Sequence, residues 1–100
     1  MTIETGKVYT FKMNSGEEMI AKVAGVGNNN HVEIEDPVSV APGPQGMGLV
    51  PSMFTASPDK NALLNMNCVA IYSLTDDSVK MKYIEATTGI KVPEKKLILG

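Results

Sequence analysis

Along most of this chain, polar and apolar positions alternate with a period of two. Tyr9, Phe11 and Met13 alternate with Thr10, Lys12 and Asn14, as side chains do on a strand with one buried face. Asn14-Ser15-Gly16-Glu17 interrupts the run. It predicts a tight turn with Gly16 at positive φ, a conformation that a residue without Cβ adopts freely. Met19, Ala21 and Val23 then resume the alternation against Ile20 and Lys22, so the two segments predict a hairpin. Gly25-Val26-Gly27 predicts a bulge or bend in the second strand. Asn28-Asn29-Asn30 reads as the next turn. A third strand is expected from His31 to Glu35, with Val32 and Ile34 on one face and Glu33 and Glu35 on the other. Val38 and Val40 continue its pattern past Pro37, which has no N–H for a ladder and is expected at an edge or kink.

Pro42-Gly43-Pro44-Gln45-Gly46 is a breaker cluster. A fourth strand, Met47 to Phe54, follows, and Pro51 within it demands an edge or a bulge. Ser57-Pro58-Asp59-Lys60-Asn61 predicts a turn, and Ala62 to Tyr72 a fifth strand. In that strand Leu64, Met66 and Cys68 alternate with Asn65 and Asn67. Its later part, Val69-Ala70-Ile71, is apolar on both faces, which predicts a central strand or cover from a helix or a neighbouring subunit. Beyond it the period changes. Asp76 can cap a helix whose first turn carries Asp77. Val79, Tyr83 and Ala86 fall at helical spacing with Ile84 beside them. Gly89 fits the left-handed position past the helix end, with Ile90 packing back. The expected organisation is one domain: a sheet over residues 8–73, a helix over 77–87 and a tail over 90–100.

Composition narrows the function classes. A chain of 100 residues predicts a single domain with little spare core for a deep active-site cleft. Its 43% hydrophobic content is that of a globular protein. No apolar run approaches the ~20 residues of a membrane helix, and Met1 to Thr5 lacks a secretory pattern. No membrane partner is expected, and the cytoplasm is the expected location. Cys68 is the only cysteine, which excludes an internal disulfide; its apolar neighbours predict a small buried residue rather than a nucleophile. The formal net charge is −2, and all nine basic residues are lysines. Strong non-specific nucleic-acid binding is thereby disfavoured, and the guanidinium fork that reads phosphate and guanine is missing.

Catalytic and metal chemistry find no carrier. There is no phosphate loop, nucleophile elbow or zinc signature. His31 is the only histidine, whereas a zinc site needs several His or Cys ligands. Asp76 and Asp77 are explained by the helix cap. Glu33, Glu35 and Asp36 predict a solvated acidic strand face, and Lys80 and Lys82 a solvated helix face. Lys91, Lys95 and Lys96 make a weak basic tail that Glu94 dilutes. The chain is expected to bind rather than to catalyse, with no cofactor and no metal.

The order of these segments resembles the Sm-like (LSm) family. Phe11-Lys12-Met13-Asn14-Ser15-Gly16-Glu17-Glu18-Met19-Ile20-Ala21-Lys22-Val23 is similar to the first half of that family's first motif, with Gly16 on its turn glycine and Val23 on a core position. Ser15 to Val23, Glu35-Asp36-Pro37-Val38-Ser39-Val40 and Gly48-Leu49-Val50-Pro51 resemble blocks of short Sm-like proteins from marine cyanophages and ocean metagenomes. The resemblance spans residues 8–72. It implies a strongly bent five-stranded antiparallel sheet forming a small open barrel, here with a C-terminal helix where a typical member has its helix before the sheet. It also implies a homo-oligomeric ring whose subunits pair through edge strands, acting on single-stranded RNA or DNA in RNA processing or chaperoning. Carried over by position, the nucleic-acid residues are Asn28, Asn29, Asn30 and His31 in one loop, and Lys60 and Asn61 beside Ser57, Pro58 and Asp59 in the other. Asn28 stands where the family has an aspartate, and its usual Arg-Gly pair has no counterpart here.

Two functions are therefore expected. In one, the amides of Asn28 to Asn30 supply donors and acceptors to bases and His31 stacks on them. In the other, the asparagines are present because turns favour them, and the ring is a structural or adaptor assembly that binds protein. The apolar side chains of Leu49, Val50, Met53, Phe54, Val69 and Ile71 exceed what one small sheet covers, which predicts edges that seek a partner in either case.

Overall fold

The computed structural model of this protein describes residues 2–57 and 59–90. The alternating segments form β1 (Val8–Met13), β2 (Glu18–Val26) and β3 (His31–Gly43). They are followed by β4 (Gly46–Pro51), β5 (Ala62–Asn65), a 3-10 turn (Met66–Cys68), β6 (Val69–Leu74) and α1 (Asp77–Ile90). All strand pairs are antiparallel. The sheet is open, with order β4-β3-β2-β1-β6, and β5 pairs with β3 off that path. The chain is thus mainly β with one C-terminal helix among its described residues.

Strand β3 is long enough to take two partners along one edge. Its first part, His31 to Ile34, pairs with β5, and its last part, Val38 to Gly43, pairs with β4. The bend between them is a bulge. Ile20 faces Val38 and Lys22 faces Glu35, so Ala21 stands opposite both Asp36 and Pro37. Asp36 adopts φ 49° there, and Pro37, which has no N–H for the ladder, sits where the ladder is already interrupted. A second slip falls between Val23 and Gly25, in the glycine-loosened part of β2. Gly16 takes φ 98° in the β1–β2 turn, as the sequence predicts.

Burial divides into two clusters on opposite faces of the sheet. One face buries Tyr9, Phe11, Met19, Ala21, Val23, Val32, Ile34 and Leu64. Tyr9, Phe11 and Tyr72 form a ring cluster there, with centroids 6.2–6.4 Å apart. The other face buries Val8, Ile20 and Val38 against Tyr83 of α1. Strands β1, β2 and β3 therefore contribute buried residues to both faces.

Several expectations are corrected. The predicted fifth strand is not continuous from Ala62 to Tyr72: the 3-10 turn at Met66–Cys68 cuts it, so β5 pairs with β3 and β6 with β1. The apolar run Val69-Ala70-Ile71 is not central. It lies on the edge strand β6, with Ala70 and Ile71 exposed, because α1 folds over β1, β2 and β3 instead. Cys68 is exposed in the turn rather than buried in a strand. Glu33, Glu35 and Asp36 are half-buried rather than fully solvated. The fourth strand ends at Pro51, leaving Met53 and Phe54 exposed in the loop beyond. The helix runs through Gly89 to Ile90 instead of ending at Thr87, and Ile84 faces solvent while Thr87 is buried. Pro58, the tail lysines Lys91, Lys95 and Lys96, and the packing expected of Ile90 lie outside the described residues and side chains.

The cap on α1 is the one the sequence predicts. The Asp76 carboxylate accepts from the Ser78 N–H at 3.1 Å and from the Ser78 hydroxyl at 2.5 Å, and its carbonyl takes the Lys80 N–H at 2.8 Å. The Ser78 hydroxyl, followed by the backbone N–H groups of Val79 and Ser78, holds the carboxyl below its usual 3.8. A carboxyl depressed on folding stabilises the native state above its unfolded pKa and loses that contribution as pH falls through the folded value. Asp76→Ala is expected to melt below the unmodified protein at pH 7, with the gap closing as pH falls below the usual carboxyl value of 3.8. A gap that persists at pH 2 in thermal melts would assign the effect to something other than the charged cap.

Candidate nucleic-acid interface

Three turns meet at one end of the sheet, and each brings asparagine. The β2–β3 turn needs left-handed backbone at two successive residues, Asn29 at φ 58° and Asn30 at φ 61°. Asparagine tolerates that region better than most residues. The turn closes through Gly27 N–H to the His31 carbonyl at 2.9 Å and His31 N–H to the Asn28 carbonyl at 3.3 Å. His31 Nδ1 lies 2.8 Å from the Asn29 carbonyl. A carbonyl only accepts, so Nδ1 carries the hydrogen of that bond and Nε2 of a neutral ring is left as an acceptor.

The 3-10 turn between β5 and β6 packs against this loop. The Asn30 side-chain amide donates to Asn67 Oδ1 at 2.7 Å, and the Met66 N–H donates to the Asn30 carbonyl at 2.9 Å. Asn65 caps the turn by accepting the Asn67 N–H at 2.9 Å, and Asn65 is the register partner of His31. The β1–β2 turn joins from the other side. Asn14 donates its backbone N–H to the Cys68 carbonyl at 2.8 Å and its side-chain amide to the Asn67 carbonyl at 3.1 Å. These bonds run amide to amide or amide to backbone, and none uses a charged group. The surface they make is neutral, exposed and rich in paired donors and acceptors.

The residues expected from the sequence separate into two places. Asn30 and His31 sit in the cluster, with Asn28 and Asn29 on its outer turn. Lys60 and Asn61 do not join them. They precede β5 at its opposite end, where Ala62 pairs with Ile34. Lys60 is exposed in a turn closed by its N–H to the Ser57 carbonyl at 3.3 Å, and Asn61 donates to Glu33 Oε2 at 2.7 Å. Sequence reasoning missed Asn14, Asn65 and Asn67. The available signal was the Asn65-Met66-Asn67 spacing, which reads equally well as the polar face of a strand.

Among the described residues no group of three or more His, Cys, Asp or Glu lies close enough to hold a metal. No helix there is long and apolar enough to cross a membrane. No protein-family model matches the chain, and no curated protein matches it either.

Proposed function

We propose that this chain is the subunit of a ring-forming protein of the Sm-like type that binds single-stranded nucleic acid, RNA foremost, at the asparagine cluster. The observation that carries the reading is the meeting of Asn14, Asn30, Asn65 and Asn67 with His31 at one end of the sheet. Amides present donor and acceptor side by side, the pattern that pairs with base edges, and an imidazole face accepts a stacked base. We read β4 and β5 together as an interrupted counterpart of the family's fourth strand. On that reading the 3-10 turn takes the place of the second binding loop, and the amide of Asn67 replaces the missing arginine. The outer edges of β4 and β6 are the ring contacts, flanked by exposed Val50, Met53, Phe54, Ile71 and Leu74.

A neutral site predicts a distinctive salt response. Affinity falls with salt in proportion to the phosphates that cations neutralise, and the cluster holds no cation among the bonds that build it. Fluorescence anisotropy with short single-stranded RNAs over a salt series tests this directly. Binding is expected to be weak, to depend little on salt, and to drop roughly 10- to 100-fold in Asn30→Ala/Asn67→Ala, as loss of amide–base pairing implies. Lys60→Ala is expected to change it far less. Equal loss in both variants would remove the cluster from the site.

The adaptor reading keeps one observation of its own. Phe54 is 76% exposed on the loop after β4, beside Met53, on a protein of net charge −2. An exposed aromatic anchor on a protein of net negative charge fits a protein partner better than a polyanion. Rings that form but leave RNA anisotropy unchanged at every salt concentration would establish that reading over the first.

A further inference from the structure

We infer that α1 is a hinged cover, latched by Tyr83, that opens as a unit while the sheet beneath it stays folded. The first ground is the separation of the two clusters. The larger one, centred on Phe11 and Val23, takes its buried residues from β1, β2, β3 and β5, with Val69 and Tyr72 of β6 packed against them and no residue of α1. Helix α1 contributes only to the smaller one, through Tyr83 with half-buried Val79. Removing the helix therefore leaves the larger core complete, which is the condition for a separately opening unit.

The second ground is how the helix is attached. The Tyr83 hydroxyl accepts the Lys22 N–H at 3.2 Å and lies 3.0 Å from both the Glu35 and Asp36 carbonyls, to which its hydrogen is shared. These backbone groups lie beside the Asp36–Pro37 bulge, where the β2–β3 register shifts next to the Lys22–Glu35 pair and Asp36 adopts φ 49°. The other buried hydroxyl of the helix, that of Thr87, bonds within the helix, to the Tyr83 and Ile84 carbonyls. Beside the latch lies an open cleft of about 360 Å³ between Ile84 and Thr87 on the helix and Val8, Lys22 and Asp36 on the sheet. Solvent thus reaches the helix–sheet junction beside the phenol. The hinge is Thr75, tied to the sheet by its N–H to the Val8 carbonyl at 3.2 Å and by its hydroxyl against that of Thr10 at 2.9 Å. Opening uncovers Val8, Ile20 and Val38, an apolar strip on the outer face.

Native-state hydrogen exchange on the full chain tests the cover. In the unmodified protein, amides of Lys82 to Thr87 are expected to exchange at least tenfold faster than those of Phe11 and Ala21, after correction for intrinsic rates. Val23→Ala weakens only the larger core. It is expected to speed the sheet amides by roughly tenfold or more and to leave the helix amides unchanged. Tyr83→Phe keeps the ring and removes the latch, and is expected to speed the helix amides by about tenfold. Should Val23→Ala fold poorly, Ile34→Val gives the same contrast at roughly two- to tenfold. The inference is overturned if a sheet-core substitution speeds helix and sheet amides by one common factor, since the helix would then open only when the whole protein does.

Discussion

Replacing Phe11 with alanine is expected to remove about 3–5 kcal/mol of stability, the usual cost of deleting a buried aromatic ring. Phe11 is fully buried at 0% exposure. It touches Tyr9 and Tyr72, and so links β1 to β6 as well as to its own strand. The neighbours cannot collapse easily into the gap. Tyr9 is held by its hydroxyl, which accepts the Glu4 N–H at 2.9 Å, and β1 is fixed by ladders on both sides. Domains of this size have only about 5–15 kcal/mol in total, so the variant should melt on the order of 20 °C lower. Thermal denaturation by circular dichroism measures it. Phe54→Ala is the control: its ring is exposed in a loop, and a large change is not expected. If the two variants melt alike, the larger cluster is not what holds the sheet together.

The importance of Phe11 is legible in the sequence, because strict alternation over Tyr9, Phe11 and Met13 puts all three on the one buried face of a strand. The same holds for the Gly16 turn and for the proline at a kink, where the backbone leaves few choices. Two-sided burial was misplaced for a physical reason. Val69-Ala70-Ile71 and Val8-Tyr9 are both apolar on both faces, and periodicity states only that each wants cover. Which one receives it depends on where α1 lands. The helix lands on Val8, Ile20 and Val38, where the Tyr83 hydroxyl bonds to the Glu35 and Asp36 carbonyls at the bulge. A bulge that offers an acceptor to a residue 47 positions away in the chain leaves no local signal.

The candidate site divides in the same way. Asn28 to Asn30 stand out as a run, and the turn they form was expected. Asn65 and Asn67 did not stand out, because a polar residue at every second position is also what a half-buried strand shows. The break at Met66–Cys68 rests on the Asn65 side chain capping the turn and on the Asn14 and Asn30 contacts. All of these except the cap are tertiary. Cys68 was misjudged with them: once the strand is cut, its alternation with Met66 no longer assigns it to the core.

The edges that the fold leaves open carry the second large effect. On the proposed ring assembly, Ile71→Asp is expected to leave a single subunit of 10.7 kDa. Ile71 is 65% exposed on β6, whose outer edge has no partner among the described strands. The substitution is mild for the isolated fold, because Lys12 is the register partner of Ile71 on β1 and an aspartate there gains an opposite charge across the strands. It is severe for an interface, where a carboxylate on an apolar edge must be desolvated. Loss of about 2 kcal/mol at one contact weakens it roughly thirtyfold, and a closed ring repeats the same contact at every subunit. Light scattering after size-exclusion chromatography reads the mass, and circular dichroism confirms that the sheet survives. If the unmodified protein already elutes as one subunit at micromolar concentration, β6 is an edge shielded by its own twist and charge, and the ring falls along with the pore that would have gathered the asparagine clusters.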